Sequence, residues 1–299
     1  MGHGIAQVCA QAGIEVTLID SMTTALENAK TKIGQNVQLL IDNEMCDLSV
    51  DVVMGRITFS SSLEAAAPSA IVIEAIPEKF VLKEPLYKQL EHICRRDAIL
   101  ASNTSGIPIT KIANTIKTPD RVIGTHFYMP AHLVPLVEVI QTEHTREDVI
   151  ETTMNLLKDL GKCPVRVRKD IPGFIGNRLQ HALAREAMSL VEKGVASAED
   201  IDTVVKTSLA VRLVFTGPME QRDFNGLDTH MAIAEYLYPD LEDAKKPLAI
   251  LQDKVAVGQL GLKTGRGFYD WSKQSGTTVT NTKNQQLIDL LKFLASSPK

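Results

Sequence analysis

The 299-residue sequence predicts an α/β domain with a doubly wound sheet, followed by an all-α domain. Short apolar runs such as AIVIEAI at 70–76 alternate with segments of helical period up to residue 168. The segment KDIPGF at 169–174 interrupts this alternation, and the pattern from there to Asp240 is helical almost throughout. We therefore expect two domains, 1–168 and 169–299.

The opening residues, MGHGIAQVCAQAGIEVTLID, predict the second half of a dinucleotide-binding βαβ unit. A small-residue helix over 2–12 ends at Gly13, because glycine tolerates the left-handed conformation of a helix cap. A short strand over 15–19 follows and ends at Asp20. A carboxylate at that place binds the ribose hydroxyls of an adenine dinucleotide, which favours NAD over NADP.

The first strand of this unit is apparently missing from the sequence, as are the first two glycines of G-x-G-x-x-G. Our hypothesis is that the sequence starts at an internal methionine, roughly a dozen residues late. If the sequence is complete instead, we expect a sheet without its central first strand and weak cofactor binding.

Polar side chains follow several of the predicted strands. Glu78 comes after the strand at 70–76, Ser105 follows AILA at 98–101, and His126 ends the β-branched run that starts at Arg121. Ligands of doubly wound sheets bind beyond the carboxyl ends of the strands, so we expect these side chains at one site.

His126 and Glu138 are separated by twelve positions, and both interrupt apolar runs that predict buried strands. If the two side chains meet, they form an acid/base pair, because a carboxylate beside an imidazole favours its charged form. The alternative is a core histidine whose ring is satisfied by a backbone carbonyl.

Composition excludes several classes of protein. A formal net charge of -4 provides no basic excess for nucleic acid. No apolar run reaches ~18 residues, so we expect no membrane span. The four cysteines are scattered without metal-ligand spacing, which predicts no metal site and a reducing compartment, the cytoplasm. An enzyme is favoured, and a structural or binding protein stays open.

The chain resembles the NAD-dependent L-3-hydroxyacyl-CoA dehydrogenase family along almost its whole length. The resemblance rests on six motifs in order: MGHGIAQ, ASNTSGIPIT, GTHFYMP with PLVEV, KDIPGFIGNRL, GPMEQRDFNGLD and GLKTGRGFYDW. It implies a Rossmann-like NAD-binding domain and a helical domain that usually forms a homodimer. It also implies reversible hydride transfer between NAD and C3 of a small-molecule 3-hydroxyacyl substrate.

Residue by residue, the resemblance implies that His126 is the catalytic base and Glu138 its partner. It places Ser105 against cofactor and substrate, and Asn177 where it helps to orient them. The positions that it implies for cofactor binding are Gly2, Gly4, Asp20, Glu78, Lys83, Ser105 and Lys263. The alternative for the two lysines is a solvated surface charge.

The sequence departs from the family at three places. The family usually reads HFFNP after the histidine, and here Met129 replaces the asparagine. The positions that bind the CoA nucleotide, a serine and a lysine in the family, are Asn36 and Asn43. Arg212 lies in a stretch that is usually uncharged.

These departures leave alternatives open for the function. We expect oxidation of a short-chain L-3-hydroxyacyl-CoA. The first alternative resembles L-gulonate 3-dehydrogenase or L-carnitine dehydrogenase, which oxidise free 3-hydroxy acids, and there Arg212 binds the substrate carboxylate. Otherwise Arg212 is paired on the surface. A tail helix at 285–295 fits these relatives too. The last alternative is a crystallin-like or truncated protein without turnover.

Overall fold

The computed structural model describes residues 1–296, and the chain divides into two compact units, Met1–Arg178 and Leu179–Lys299. The first unit alternates strands and helices, as the sequence predicts. Its strands are β1 Val16–Ile19, β2 Ile57–Ser60, β3 Ile71–Glu74, β4 Ile99–Ser102, β5 Val122–Phe127, β6 Leu136–Ile140 and β7 Cys163–Val167. Its helices are α1 Gly2–Gln11, α2 Thr23–Asp42, α3 Val50–Gly55, α4 Phe80–Ile93, α5 Ile109–Ala113 and α6 Glu147–Asp159, and α7 begins at Gly176.

The main sheet has five strands in the order β3-β4-β5-β6-β7. All neighbours pair in parallel except β5 and β6, which are antiparallel. Alternate residues of β4 enter different cores, since Ile99 and Ala101 join one cluster and Leu100 joins the other. A sheet covered on both faces explains the continuous apolar runs of the sequence. The predicted Rossmann-like class is confirmed.

The strands β1 and β2 form a separate parallel pair. Among the described residues β1 pairs only with β2, and β3 pairs only with β4. The side chains of β1 are half-buried, whereas those of β4 are fully buried. A Cβ on Gly2 would lie 3.7 Å from Leu18 and 3.8 Å from Ala75, so the start of α1 lies near the carboxyl ends of both β1 and β3.

Two helix starts differ in how they are capped. The connector at 50–62 contains the short helix α3 before the strand β2, and Ser49 caps this helix by accepting a hydrogen bond from the amide of Val52. Thr145 does not cap α6. Its hydroxyl donates to the carbonyl of Val122, and Arg146 takes the cap position without a side-chain bond.

The second unit is helical, as predicted. Its helices are the rest of α7 to Glu192, α8 Ala198–Val204, α9 Ala210–Leu213, α10 Pro218–Asn225, α11 Leu227–Leu237, α12 Ala249–Ala256 and α13 Gly276–Ser296. A π-helical turn, Val205–Leu209, joins α8 to α9. The helices α8 to α12 have no buried residue among those described, and large side chains such as Phe224 and Tyr236 are more than two-thirds exposed. Across residues 1–296, no helix combines the length and the apolar character that crossing a membrane requires.

Candidate active site

The two residues singled out in the sequence form a direct pair in the structure. His126 near the end of β5 and Glu138 in β6 are opposite each other in the antiparallel register. The Nδ1 atom of His126 lies 2.8 Å from Oε2 of Glu138, and the two residues are 3% and 1% exposed. The histidine ring is therefore satisfied by a carboxylate, which excludes the alternative of a ring satisfied by a backbone carbonyl at Nδ1.

Glu138 accepts hydrogen bonds from four donors. Its Oε2 binds His126 and the hydroxyl of Tyr128, while its Oε1 accepts from the amides of Ile175 and Gly176 at 2.8 and 2.9 Å. Burial alone would raise the pKa of Glu138, but these bonds outweigh it and lower that pKa below its usual value. The carboxylate is therefore ionised and only accepts, so Nδ1 of His126 carries the proton and Nε2 is left as a proton acceptor.

Sequence reasoning missed Tyr128 and the N-terminus of α7. A signal for Tyr128 existed, because a residue two positions after His126 in an extended chain projects to the same side. Its ring centroid lies 4.5 Å from that of His126. The approach of the Ile175 and Gly176 amides depends on the turn at 171–175, where Phe174 has a φ of 49° and is fully buried. That turn has no counterpart in strand or helix periodicity.

The loop after β4 connects Ser105 and Asn177 to this pair. The side chain of Asn103 accepts a hydrogen bond from the amide of Phe127, next to His126, at 2.8 Å. The side-chain amide of Asn177 donates to the carbonyl of Ser105 at 2.7 Å. Ser105 is exposed. The structure thus brings Asn177 of α7 against Ser105 and attaches the loop that carries Ser105 to the strand of the histidine.

Glu78 holds the same loop from the other side. Its Oε1 accepts from the Thr104 hydroxyl at 2.5 Å and from the amides of Ser105 and Gly106 at 2.9 and 3.1 Å. Burial opposes ionisation of Glu78, but the Thr104 hydroxyl, the charge of Lys83 and the loop amides lower its pKa. These contacts fix the backbone on which Ser105 is carried.

Lys83 is not the solvated surface charge that the sequence left open. It is fully buried, and its Nζ lies 2.7 Å from Glu74 and 3.4 Å from Glu78. Glu74 is also buried and accepts from the Ser102 hydroxyl at 2.7 Å. Lys83 therefore connects β3, α4 and the loop after β4 through two carboxylates.

The start of α1 and the end of β1 suit the parts of a dinucleotide. The N-terminus of α1 has no side-chain hydrogen-bond cap in residues 1–296, which leaves first-turn amides for an anion such as a pyrophosphate. A Cβ on Gly4 would lie 3.2 Å from that of Ala131, so this glycine permits close packing beside the helix start. Asp20 is exposed, and within residues 1–296 its carboxylate accepts a hydrogen bond only from the amide of Met22. These residues fit the cofactor.

The positions that depart from the family are held by the chain itself. Asn36 donates to the buried side chain of Gln7 at 3.1 Å, which ties α2 to α1. Asn43 donates to the carbonyl of Leu39 in its own helix at 2.8 Å. Neither supplies a cation for a phosphate. Met129 is 75% exposed, and its thioether offers no hydrogen bond comparable to that of an amide.

Arg212 and Lys263 belong to the second unit, and both are exposed. The guanidinium of Arg212 bonds only to Ser208, through its carbonyl and its hydroxyl at 3.2 Å, and forms no ion pair within residues 1–296. Of the two alternatives for Arg212, a surface pairing is therefore seen only with Ser208 of its own helical segment within residues 1–296. Arg212 lines an open cavity of about 390 Å³ together with Val211, Phe215, Thr216, Gln221, Phe224 and Asn225.

Comparison with known proteins confirms the resemblance seen in the motifs. Residues 1–171 match the family described as 3-hydroxyacyl-CoA dehydrogenase, NAD binding domain. Residues 173–271 match 3-hydroxyacyl-CoA dehydrogenase, C-terminal domain. A probable 3-hydroxybutyryl-CoA dehydrogenase of Bacillus subtilis is 41% identical over 92% of this chain and 95% of its own length.

A second relative is named for a different substrate. The 5-formyl-3-hydroxy-2-methylpyridine 4-carboxylate 5-dehydrogenase of Mesorhizobium japonicum is 32% identical over 98% of this chain and 95% of its own length. A solved structure of an enzyme with this activity, described as an NAD+ dependent dismutase, has a TM-score of 0.93 and 31% identity, with 100% of this chain and 96% of that chain covered. The (S)-3-hydroxybutyryl-CoA dehydrogenase of Ralstonia eutropha has a TM-score of 0.76 and 37% identity, covering 91% and 96%.

Proposed function

Because the chain is an NAD-dependent oxidoreductase that belongs to the 3-hydroxyacyl-CoA dehydrogenase family, we propose that His126 is its general base. The proposed reaction is reversible oxidation of a short-chain L-3-hydroxyacyl-CoA to the 3-oxoacyl-CoA. The observation that carries this proposal is the His126–Glu138 pair, in which Nδ1 is engaged at 2.8 Å and Nε2 remains a proton acceptor.

In the proposed mechanism, Nε2 of His126 removes the proton of the C3 hydroxyl as the carbonyl forms. NAD, when bound, supplies the hydride acceptor. Glu138 fixes the orientation of the imidazole and stabilises the positive charge that the ring acquires. General-base catalysis of this kind contributes about 10²–10⁴ in rate.

The remaining site residues are proposed to bind and orient. Ser105 and Asn177 donate hydrogen bonds at the developing carbonyl oxygen and around the nicotinamide. The N-terminus of α1 holds the pyrophosphate, and Asp20 holds the adenosine ribose. The proposed cofactor contacts are Gly2, Gly4, Asp20, Glu78, Lys83, Ser105 and Lys263.

We further propose that residues 1–168 bind the cofactor, while residues 169–299 provide the substrate cleft and the interface of a homodimer in the cytoplasm. The apolar surface of α8 to α12 supports a homodimer. Met219, Phe224 and Tyr236 are 77%, 76% and 71% exposed, and an apolar surface of this extent is typical of an interface. A second copy of the chain would remove these side chains from water.

A second candidate is oxidation of a free 3-hydroxy acid. It is favoured by Asn36 and Asn43, which leave the CoA nucleotide without its expected cation, and by Arg212, whose guanidinium has no acidic partner among the described residues. A guanidinium binds a carboxylate through two parallel hydrogen bonds. The Mesorhizobium relative also acts on a carboxylate by its name, although that molecule is a pyridine aldehyde.

NADH oxidation with acetoacetyl-CoA and with acetoacetate tests the proposal. We expect turnover of the thioester, with at most about a threefold change in kcat/KM for Arg212→Gln. Turnover confined to the free acid, with loss of tenfold or more in Arg212→Gln, would establish the second candidate instead. Failure of NADH to bind in a fluorescence titration would support the non-catalytic alternative.

A further inference from the structure

Tyr128 shares an oxygen of Glu138 with the proposed base. Its hydroxyl donates to Oε2 at 2.9 Å, and Nδ1 of His126 reaches the same atom at 2.8 Å. The Tyr128 and His126 rings are 4.5 Å apart between centroids, at an interplanar angle of 49°. The Tyr128 hydroxyl therefore belongs to the same hydrogen-bond network as the His126–Glu138 pair.

The Tyr128 hydroxyl occupies the space that a side chain at position 176 would fill. A Cβ added to Gly176 would overlap the hydroxyl oxygen of Tyr128 and would lie 2.8 Å from its Cζ atom. The amide of the same glycine donates to the other oxygen of Glu138 at 2.9 Å. The tyrosine and the glycine thus contact the carboxylate from two sides, and a side chain at 176 would displace one of them.

Besides His126 and the two amides, the Tyr128 hydroxyl is a further donor to Glu138, and it weakens the attraction between Glu138 and the protonated histidine. Each hydrogen bond to a carboxylate stabilises its negative charge and lowers its affinity for a further proton. The carboxylate then attracts an imidazolium less strongly than it would with His126 and the two amides alone. Where the family usually reads HFFNP, a phenylalanine at this position provides no such donor.

We propose that Tyr128 is a positioning residue that moderates the action of Glu138 on His126, so that the protonated ring releases its proton more readily. The effect of Tyr128 on turnover rests on the proposed function. Its effect on the proton affinity of His126 rests only on the contacts described above and is expected in the free protein as well.

Few groups among residues 1–296 face the His126–Glu138 pair. Besides the pair itself, from β5 and β6, the titratable side chain in contact with it is that of Tyr128, directly after β5. From α7 and the turn before it come the amides of Gly176 and Ile175, and the ring of Phe174 lies 5.7 Å from that of His126. Substitution of Tyr128 by phenylalanine therefore changes one donor and adds no charge.

The test compares Tyr128→Phe with the wild-type chain by two pH titrations. The first follows the ring resonance of His126 by NMR, identified by its absence in His126→Gln. The second follows kcat/KM for NADH oxidation. NADH oxidation reduces the substrate carbonyl and therefore needs the protonated ring as the proton donor, so its kcat/KM falls on the alkaline side as His126 loses its proton. We expect the NMR midpoint and this alkaline-side midpoint of kcat/KM to rise by about half a pH unit or more, because the carboxylate loses a donor and attracts the imidazolium more strongly.

Tyr269→Phe is the matched control, because the Tyr269 hydroxyl also donates to a carboxylate, that of Asp202, at 2.8 Å in the second unit. It is expected to leave both midpoints unchanged. Gly176→Ala is expected to raise them as Tyr128→Phe does. If Gly176→Ala does not fold, Tyr128→Phe decides alone.

An unchanged or lowered midpoint in Tyr128→Phe would overturn the inference. The NMR titration needs no turnover, so it separates this failure from failure of the proposed function. A wild-type chain without NADH oxidation would refute the function, while the resonance of His126 would still show whether Tyr128 acts on it.

Discussion

Lys83 and Glu74 form a fully buried ion pair, with Nζ 2.7 Å from Oε1 and each side chain 1% exposed. The pair is connected to the loop that carries Ser105. Lys83 also lies 3.4 Å from Glu78, and Glu78 accepts hydrogen bonds from the amides of that loop. Lys83 therefore stabilises the loop that carries Ser105, whatever else it contacts when the cofactor is bound.

Lys83→Met is therefore expected to destabilise the first unit. The substitution leaves the Glu74 carboxylate buried without its cation, which costs about 3–5 kcal/mol in the free energy of unfolding. Urea unfolding measures this loss, and Lys83→Arg, which keeps the charge, is expected to recover part of it. A normal urea midpoint for Lys83→Met, with weaker NADH binding alone, would mean that Lys83 acts as a cofactor contact without a structural role.

Arg121 is expected to be a strong determinant of stability. It is 1% exposed, and its guanidinium donates to the carbonyls of Arg95, Ala98 and Glu91 at 2.5, 3.3 and 3.2 Å. Arg121→Met leaves these acceptors buried without a donor, so we expect a loss of about 3 kcal/mol in urea unfolding.

Arg146→Met is the control for this loss. Arg146 is also paired, with Asp120 and Asp148, but its side chain is 41% exposed. Exposed ion pairs contribute little, so the loss should be much smaller. Equal losses for the two arginines would show that burial of Arg121 does not determine its contribution.

Acid stability should depend on Glu138. Its pKa in the folded chain lies below the usual value, because the bonds from His126, Gly176, Ile175 and Tyr128 outweigh the effect of burial. The stabilisation is then present above the pKa of the unfolded chain and is lost as the pH falls through the folded pKa. Glu138→Gln removes it at every pH.

The stability difference between wild type and Glu138→Gln is thus expected to be largest near neutral pH and to shrink below pH ~4. Urea midpoints across this range measure it. Glu84→Gln serves as the control, since Glu84 is 39% exposed and, in the described part of the chain, pairs only with Lys88 in its own helix. A difference that stays constant with pH would contradict the ionised, four-bonded carboxylate.

The sequence allowed prediction of features that depend on local pattern. His126 and Glu138 interrupt apolar runs, and the short link between the runs brings one strand back against the other. The alternation of strands and helices predicted the sheet in the same way. Both the His126–Glu138 pair and the alternation of elements could be predicted because each depends on residues that follow one another within a short segment of the chain.

The unpredicted features depend on distant contacts. Lys83 and Arg121 appear as ordinary charges in the sequence, and only the packing of α4 against β3 and β4 buries them. The amides of Ile175 and Gly176 reach Glu138 from more than thirty positions away, through a turn in which Gly173 has a φ of 75°. Periodicity carries no information on such a turn.

The role of His126 as the general base is tested most directly by the kinetics of His126→Gln. Single-turnover NADH oxidation would give the rate of the chemical step, and a fluorescence titration would give the Kd for NADH. We predict a loss of about 10²–10⁴ in the rate with a Kd within about threefold of wild type, because His126 acts on the substrate proton and not on cofactor affinity. A rate equal to that of the wild type would contradict the assignment.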